Sequence, residues 1–371
     1  MATAIPISQS RAFRAELARH GAADAARCMQ CATCSAVCDL AVASGTIFPR
    51  RQVLFAQWGL VDRLAGDPAL WLCHGCNDCS ARCPRDARPA DAMSAIRAIV
   101  IEHVGAPRPL ARLVGRAATT WPILVGVPIV FWALYIGLVS GFEVRRTPIA
   151  YSDFVPQWMI YSVFIPAALF AVWASLTGAR RAWLAWAVGS QREGSLLSGL
   201  ARVVVDVLDH RRFASCRAAA PRRSGHLFLL LGFLGALVTT SLLGVAMDLL
   251  GTRTPLPQTH PIKLLGNVSA VLLVVGTVRL AMTRIGGAAR VGRSAAFDTF
   301  FLSLVAAVVA SGIGAELARI ALDPSVALAV YVVHLGTVLS LFLTFPFSKF
   351  AHALYRTLAM AHERLTVRRP S

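Results

Sequence analysis

Eight of the nine cysteines in this 371-residue chain stand in two runs. Cys28, Cys31, Cys34 and Cys38 lie in "CMQCATCSAVC", and Cys73, Cys76, Cys79 and Cys83 lie in "CHGCNDCSARCP". Both have the spacing C-x2-C-x2-C-x3-C; Pro84 closes the second run, whereas Asp39 follows the first. Three thiolates at steps of three residues can wrap one face of an iron–sulfur cube, and in two-cluster proteins of this spacing the fourth cysteine reaches the other cube. The expectation is two [4Fe–4S] clusters. One would sit on Cys28, Cys31, Cys34 and Cys83, the other on Cys73, Cys76, Cys79 and Cys38. Disulfides fit poorly, because the steps suit a metal and a reducing cytosol keeps thiols reduced. Paired zinc sites use four cysteines per pair of motifs and leave the others unexplained. Buried structural cysteines would have no reason to repeat a spacing.

Composition decides where such a domain would work. Hydrophobic residues make up 56% of the chain and the formal charge is +18, almost all of it arginine. A positive mean hydropathy of +0.60 is too high for a soluble protein of this size. Apolar runs flanked by arginine fit a membrane protein whose cytoplasmic loops collect positive charge. Nucleic-acid binding, the other reading of a high isoelectric point, fails because the basic residues form no separate domain. The start, "MATAIPISQSRAFRAELARHG", lacks the apolar core of a secretory signal and suits a short amphipathic helix.

Residues 1–115 are expected to form a cytoplasmic all-α domain holding both clusters. Between the runs, Leu54, Phe55, Trp58, Leu60, Val61 and Leu64 recur at helical spacing, with Pro49 as a start and Gly66 as a stop. "DAMSAIRAIVIEHVG" reads as the last helix of the domain. Residues 116–371 form the membrane domain, with apolar spans near 119–142, 157–177, 226–249, 262–282, 298–320 and 326–348. Each is close to the roughly 20 residues that a crossing needs. The loop 178–225 holds nine arginines, and more stand near 283–297 and in the tail from 349. The opposite loops hold few, so both termini are expected in the cytoplasm, at the inner membrane. Within 178–225, Leu200, Val203, Val204, Val207 and Leu208 share one face of an amphipathic helix, lying on the membrane, on the cluster domain or on a partner helix of the same chain.

Histidines inside a membrane are costly and usually functional, and a haem b takes two from facing helices. His334 and His352 are 18 residues apart, which is five turns and about 27 Å of ideal helix. Pro346 lies in that path. Pairing by depth gives a proximal haem on His226 and His352 and a distal haem on His260 and His334. His210 is a reserve ligand. His20, His103 and His362 read as surface residues, His74 as a residue tuning its cluster, and Cys216 as a free thiol. No G-x-G-x-x-G loop or flavin signature appears, so the chain is not a complete enzyme.

Together these residues resemble a known combination. The first domain looks like the C-type iron–sulfur subunit of heterodisulfide reductase, most closely in "LWLCHGCNDCSARCPRDARPADAMSAIR". Its fusion to a cytochrome b-like bundle resembles the QmoC family, which belongs to the quinone-interacting membrane-bound oxidoreductases, in "HPIKLLGN" and "HLGTVLSLFLTFPFSKFAH". The latter stretch also resembles the last helix of respiratory nitrate reductase gamma subunits. There two histidines ten apart share another helix; here Ala236 stands ten past His226. The resemblance implies an electron-transfer subunit between quinone and two soluble flavin- and iron–sulfur-bearing subunits, QmoA- and QmoB-like, linked to adenylylsulfate reductase. A membrane module of another respiratory complex, heterodisulfide-reductase-like or sulfite-reductase-linked, and a haem-free iron–sulfur anchor are the alternatives.

Overall fold

The computed structural model describes residues 12–44, 46–141, 149–188, 190–208, 220–285, 292–293, 295–321 and 323–366. His210 and Cys216 lie outside the described residues. Among the described residues the fold is helical with no β-strand, as the sequence reading expects.

The first domain is a set of short helices around one long one. They are α1 (Phe13–Arg19), α2 (Thr33–Ala36), α3 (Asp39–Ser44), α4 (Arg50–Gln57), α5 (Val61–Ala65), α6 (Ala69–Leu72), α7 (Asp78–Ala81) and α8 (Pro89–Val104). The insert between the cysteine runs is helical but broken. Gly59 takes φ +68° and ends α4, a conformation glycine adopts without steric cost. That break rotates the apolar face. Val53, Ala56, Leu60 and Leu64 are buried, while Trp58 is exposed. Pro89 opens α8, and Met93, Ile96, Val100 and Ile101 fill the domain centre.

Helix α9 (Arg108–Gly115) leads into α10 (Ala117–Trp121), which passes through a π-turn at Pro122–Gly126 into α11 (Val127–Ser140). The next elements are α12 (Gln157–Ala187), α13 (Leu196–Leu208), α14 (Ala220–Leu250), α15 (Pro261–Ile285), α16 (Ala296–Ala321), α17 (Pro324–Thr344) and α18 (Ala351–Leu365). Six of these stretches are long and apolar enough to cross a membrane. Large apolar side chains such as Leu138, Leu169, Leu249 and Ile285 face outward from them. In water such surface would be a liability, but in lipid it is the expected exterior. Helices α14 and α15 approach closely where small residues replace bulk. A Cβ on Gly276 would lie 2.7 Å from the Leu229 nitrogen, and one on Gly232 would lie 2.7 Å from Leu273.

Two sequence expectations change here. First, the path from His334 to His352 is not one helix. Proline cannot donate to the helical ladder, and Phe345–Phe347 form a 3₁₀ turn around Pro346 before α18 starts afresh. Phe350, at the break, packs edge-on to Phe233 of α14 and Phe301 of α16 and stacks on Phe345. Second, the tail after 349 is a packed helix. Tyr355, Leu358, Met360 and Leu365 are buried, and α13 lies against this helix. Of the amphipathic face of α13, Val203 is buried and Leu200 and Val207 pack beside it, whereas Val204 is exposed. The reading of α13 as a partner helix of the same chain is the one the structure adopts.

One continuous core runs from Phe13, Val53 and Ile96 of the first domain through Ala174 and Trp186 of α12 to Phe347 and Tyr355. The division near residue 115 is therefore a change of environment along the chain rather than a gap in packing. Helices α12 and α18 and the 292–293 segment all meet the first domain. Trp186 donates to the Ala65 carbonyl at 2.9 Å, and Arg293 pairs with Asp24 at 2.9 Å. The described Arg181 and Arg293 thus meet the cysteine domain at one end of the bundle.

Candidate metal centres

Each cysteine run has the same backbone shape. Gln30 and Ala32 in the first take φ +58° and +69°, followed by α2; Gly75 and Asn77 in the second take +61° and +70°, followed by α7. Residues held in the left-handed region turn successive N–H groups toward one concavity, the kind of nest that holds anions and iron–sulfur groups. Non-glycine residues pay about 1–3 kcal/mol for that conformation, a strain that concentrates at functional sites.

Two cavities result. One is lined by Cys28, Cys31, Cys34 and Cys83, with Arg50 and Arg85 at its edge. The other is lined by Cys38, Cys73, Cys76 and Cys79, with His74, Asp39 and Asp78. Each concavity so takes three cysteines from one run and the fourth from the other. Among the described residues no three Cys, His, Asp or Glu side chains converge tightly enough for a single ion. Backbone and side-chain donors already point at sulfur: Gly75 N–H to Cys73 Sγ at 3.4 Å, Ala87 N–H to Cys83 Sγ at 3.3 Å, and Gln30 Nε2 to Cys28 Sγ at 3.5 Å.

The electrostatics fit the same group. Burial, then the neighbouring Cys28, pushes the Cys34 thiol up to about 11. Burial, then Cys73, Cys34 and Cys38, raises the Cys79 thiol, and burial raises Cys38. Cys31 is exposed, and hydrogen bonds with Thr33 lower its pKa. Four thiolates crowded into one cavity repel one another, so the quartets are stable as thiolates only around a positive core, which an iron–sulfur cube supplies.

The second cavity is fastened to the membrane part by residues the sequence reading did not single out. Arg97 donates to the Leu70 carbonyl at 2.7 Å and to the Cys73 carbonyl at 2.8 Å. Arg356 of α18 donates to that same Cys73 carbonyl at 3.0 Å and to His74 Nδ1 at 3.1 Å. Trp71 stacks on Tyr355 of α18 with ring centroids 4.7 Å apart. Below them, Asp298 of α16 is buried among Lys349 at 2.6 Å, Arg284 at 3.7 Å and Ser94 of α8 at 3.5 Å. A signal for Arg97 was present: it is the one charge in the apolar run "AIRAIVI". For Arg356 none was, because its partner is far away in the chain.

Comparison with known proteins follows the same division. Residues 24–87 match the 4Fe-4S dicluster domain family. Residues 107–371, most of the chain, match the family described as citrate utilization protein B. The chain belongs to the citrate utilization protein B family. Citrate utilization protein B of Escherichia coli is 26% identical over 321 residues, which cover 80% of this chain and 82% of that protein. A protein of Archaeoglobus profundus, similar to the C-type subunit of heterodisulfide reductase, is 36% identical over 76 residues, 20% of this chain and 40% of that protein. The C-type subunit of the H(2):CoB-CoM heterodisulfide,ferredoxin reductase of Methanothermobacter thermautotrophicus is 38% identical over 73 residues, 19% of this chain and 37% of that protein. No solved structure matches the chain significantly. This family member is thus an iron–sulfur protein with six membrane-type helices, and its relatives point to membrane electron transfer.

The histidines fall into different settings. His334 lies three turns into α17, where its Nδ1 is 3.1 Å from Ser311 Oγ of α16. Ser311 Oγ also reaches the Val308 carbonyl at 3.2 Å; in the tautomer in which Nδ1 donates to Ser311, Nε2 keeps its lone pair. Gly312 gives the ring room: a Cβ there would lie 2.9 Å from His334 Cε1. His352 Nδ1 bonds the Lys349 carbonyl, which can only accept, so its Nε2 lone pair is free as well. A metal-binding histidine is commonly fixed in this way by its other ring nitrogen. His260 is different. Its Nδ1 accepts the backbone N–H of Ile262 at 3.3 Å, at the start of α15. His226 stands two turns before Phe233 on the same face of α14, and Phe233 touches Phe350, two residues before His352. His20 and His362 are buried rather than superficial: His20 bonds Glu102 at 3.0 Å and His362 bonds the Trp186 carbonyl at 3.2 Å. Short-range pattern could not show that α8 and α12 cover them. His103 is exposed beside Asp62.

Proposed function

We propose that this chain is the membrane subunit of a quinone-dependent oxidoreductase, passing electrons between the quinone pool and a soluble flavoprotein through two [4Fe–4S] clusters and haem b. The supporting observation is the geometry of the second cavity: four cysteines from both runs, held by Arg356 to the helix that continues the sixth span. When bound, the clusters supply one-electron carriers. Cys28, Cys31, Cys34 and Cys83 would hold one, and Cys73, Cys76, Cys79 and Cys38 the other. The cavities adjoin, since Cys34 is among the charges acting on Cys79. His226 and His352 fit the proximal haem. His260 and His334 are the proposed pair for a distal haem. The arginine-rich end with the cysteine domain would face the cytoplasm of an inner membrane.

The flavoprotein is open to two readings. The resemblance to QmoC implies QmoA- and QmoB-like partners linked to adenylylsulfate reductase. The match to citrate utilization protein B over 80% of the chain favours instead a flavoprotein of citrate utilization. Co-purification from native membranes with mass spectrometry separates them by the subunits recovered, and recovery of a lone polypeptide would refute both. A reduced-minus-oxidised optical spectrum tests the haem. b-type bands are expected in the native protein, weakened in H352A, H334A and H260A; their absence from the native protein would sink the haem assignment.

A further inference from the structure

Two elements of the junction between cysteine domain and membrane bring positive charge to the second cavity. Arg97 and Arg356 both donate to the carbonyl of Cys73, one of its four cysteines. They arrive from opposite ends of the chain, one from α8 and one from α18. Both are half-buried between the domain and the helices that close over it. Lys349 and Arg284 follow one layer below, with Asp298 as the carboxylate between them. The first cavity is lined by Arg50, half-buried and donating to Gln30 Oε1 at 3.2 Å, and by Arg85, which is exposed and therefore screened by water. Asp39 and Asp78 line the second cavity from other helices, and Asp39 is exposed. Asp78 is half-buried in the lining, so the fixed positive charges next to the second quartet, the two permanently protonated guanidinium groups, stand against one lining carboxylate.

Adding one electron to a cluster adds one negative charge. A fixed positive charge beside it in a poorly solvated setting stabilises the reduced form over the oxidised one, and hydrogen bonds and local charge are established levers on cluster potential. Resting on the electron-transfer reading above, we propose that Arg97 and Arg356 are positioning residues that raise the reduction potential of the cluster held by Cys38, Cys73, Cys76 and Cys79. They thereby hold the electron at the membrane side of the pair. The electron comes from the first cluster or its soluble donor, and no proton or further reactant is needed. This also gives the C-terminal helix a role: it delivers one of the two charges to a site formed at the other end of the chain.

The experiment is an EPR-monitored redox titration of the full-length protein in detergent, native and with R356Q, R97Q and R364Q. Arg364 lies on the same helix but pairs with Asp206 at 3.2 Å, away from the cavity. Iron and acid-labile sulfide are measured first. Each of R356Q and R97Q leaves the other guanidinium on the Cys73 carbonyl, so the loop keeps an anchor and both clusters are expected to load. One midpoint should then fall by at least a tenfold change in the reduction equilibrium, about 59 mV for one electron. The other midpoint, and both in R364Q, should stay where they are in the native protein. Unmoved midpoints in fully loaded R356Q and R97Q would overturn the proposal, as would equal shifts of both clusters. Loss of iron from both variants would overturn it too, by making the arginines scaffolding. If the native protein shows no reduced cubane signal, it is the electron-transfer reading itself that fails.

Discussion

The crossed sharing of cysteines can be tested by removing whole quartets. In the structure, Cys38 lines the cavity of the second run and Cys83 that of the first. Single substitutions discriminate poorly, because either arrangement leaves a three-cysteine site able to keep some iron. Replacing four cysteines at once is cleaner. The variant C38A/C73A/C76A/C79A empties one cavity of thiols and leaves Cys28, Cys31, Cys34 and Cys83 untouched. Its counterpart C28A/C31A/C34A/C83A does the reverse. Each should retain about four of about eight irons per chain and one [4Fe–4S] signal by EPR. The two run variants, C28A/C31A/C34A/C38A and C73A/C76A/C79A/C83A, leave the same number of cysteines, but three in one cavity and one in the other. They should hold fewer irons and show no intact cubane. Because all four variants lose four thiols, general damage to the domain falls on them alike. Intact cubanes in the run variants and not in the quartet variants would refute the crossed arrangement outright.

Asp298 binds Lys349, Arg284 and Ser94 at the base of the junction. D298N leaves two cations without their carboxylate and should cost about 3–5 kcal/mol, seen as a lowered unfolding temperature in detergent. K349A leaves Arg284 at 3.7 Å as a remaining partner and should cost less; the reverse order would contradict this account. Tyr355 is 2% exposed and stacked on Trp71, so Y355A should cost about 3–5 kcal/mol and loosen iron retention, measured by iron loss to a chelator. In cluster-free protein at neutral pH, Cys31 should alkylate well before Cys34: hydrogen bonding lowers the first thiol, while burial pushes the second up to about 11, leaving it protonated below that pH. Equal labelling rates by mass spectrometry would count against the site geometry.

What could be seen in advance followed the range of the physics. The two cysteine runs and the six spans are local patterns, spacing in one case and length of apolar sequence in the other, and both are legible without a fold. The left-handed turns were half legible: Gly75 and Asn77 suit positive φ, while Gln30 and Ala32 give no hint of it. The break at Pro346 was a local signal too, yet the helix that follows it was read as a charged tail, because Arg356 and Arg364 outweigh its apolar residues by eye. Its burial depends on α6, α12 and α13, which no window of sequence contains. The same holds for His20 and His362, whose covering helices come from elsewhere in the chain.

The way α18 folds back bears on how the cysteine domain can work. Relatives of the heterodisulfide reductase type match this chain over little more than the cysteine domain itself. Here that domain keeps Trp71 at 1% exposure with Tyr355 of α18 stacked on its ring. The core on which the domain rests runs without interruption into α12 and α18. A shared core of this kind does not allow the domain to swing between a soluble donor and the membrane, since packed interiors are bistable at best and resist continuous deformation. On the proposed reading, electron passage in this chain then relies on fixed centres at fixed separations. Placing the charge-bearing helix at the membrane end of the pair follows the same logic: a potential set by Arg97 and Arg356 is constant only if the distance from their guanidinium groups to the Cys73 loop is constant, and both are hydrogen-bonded to one carbonyl of that loop.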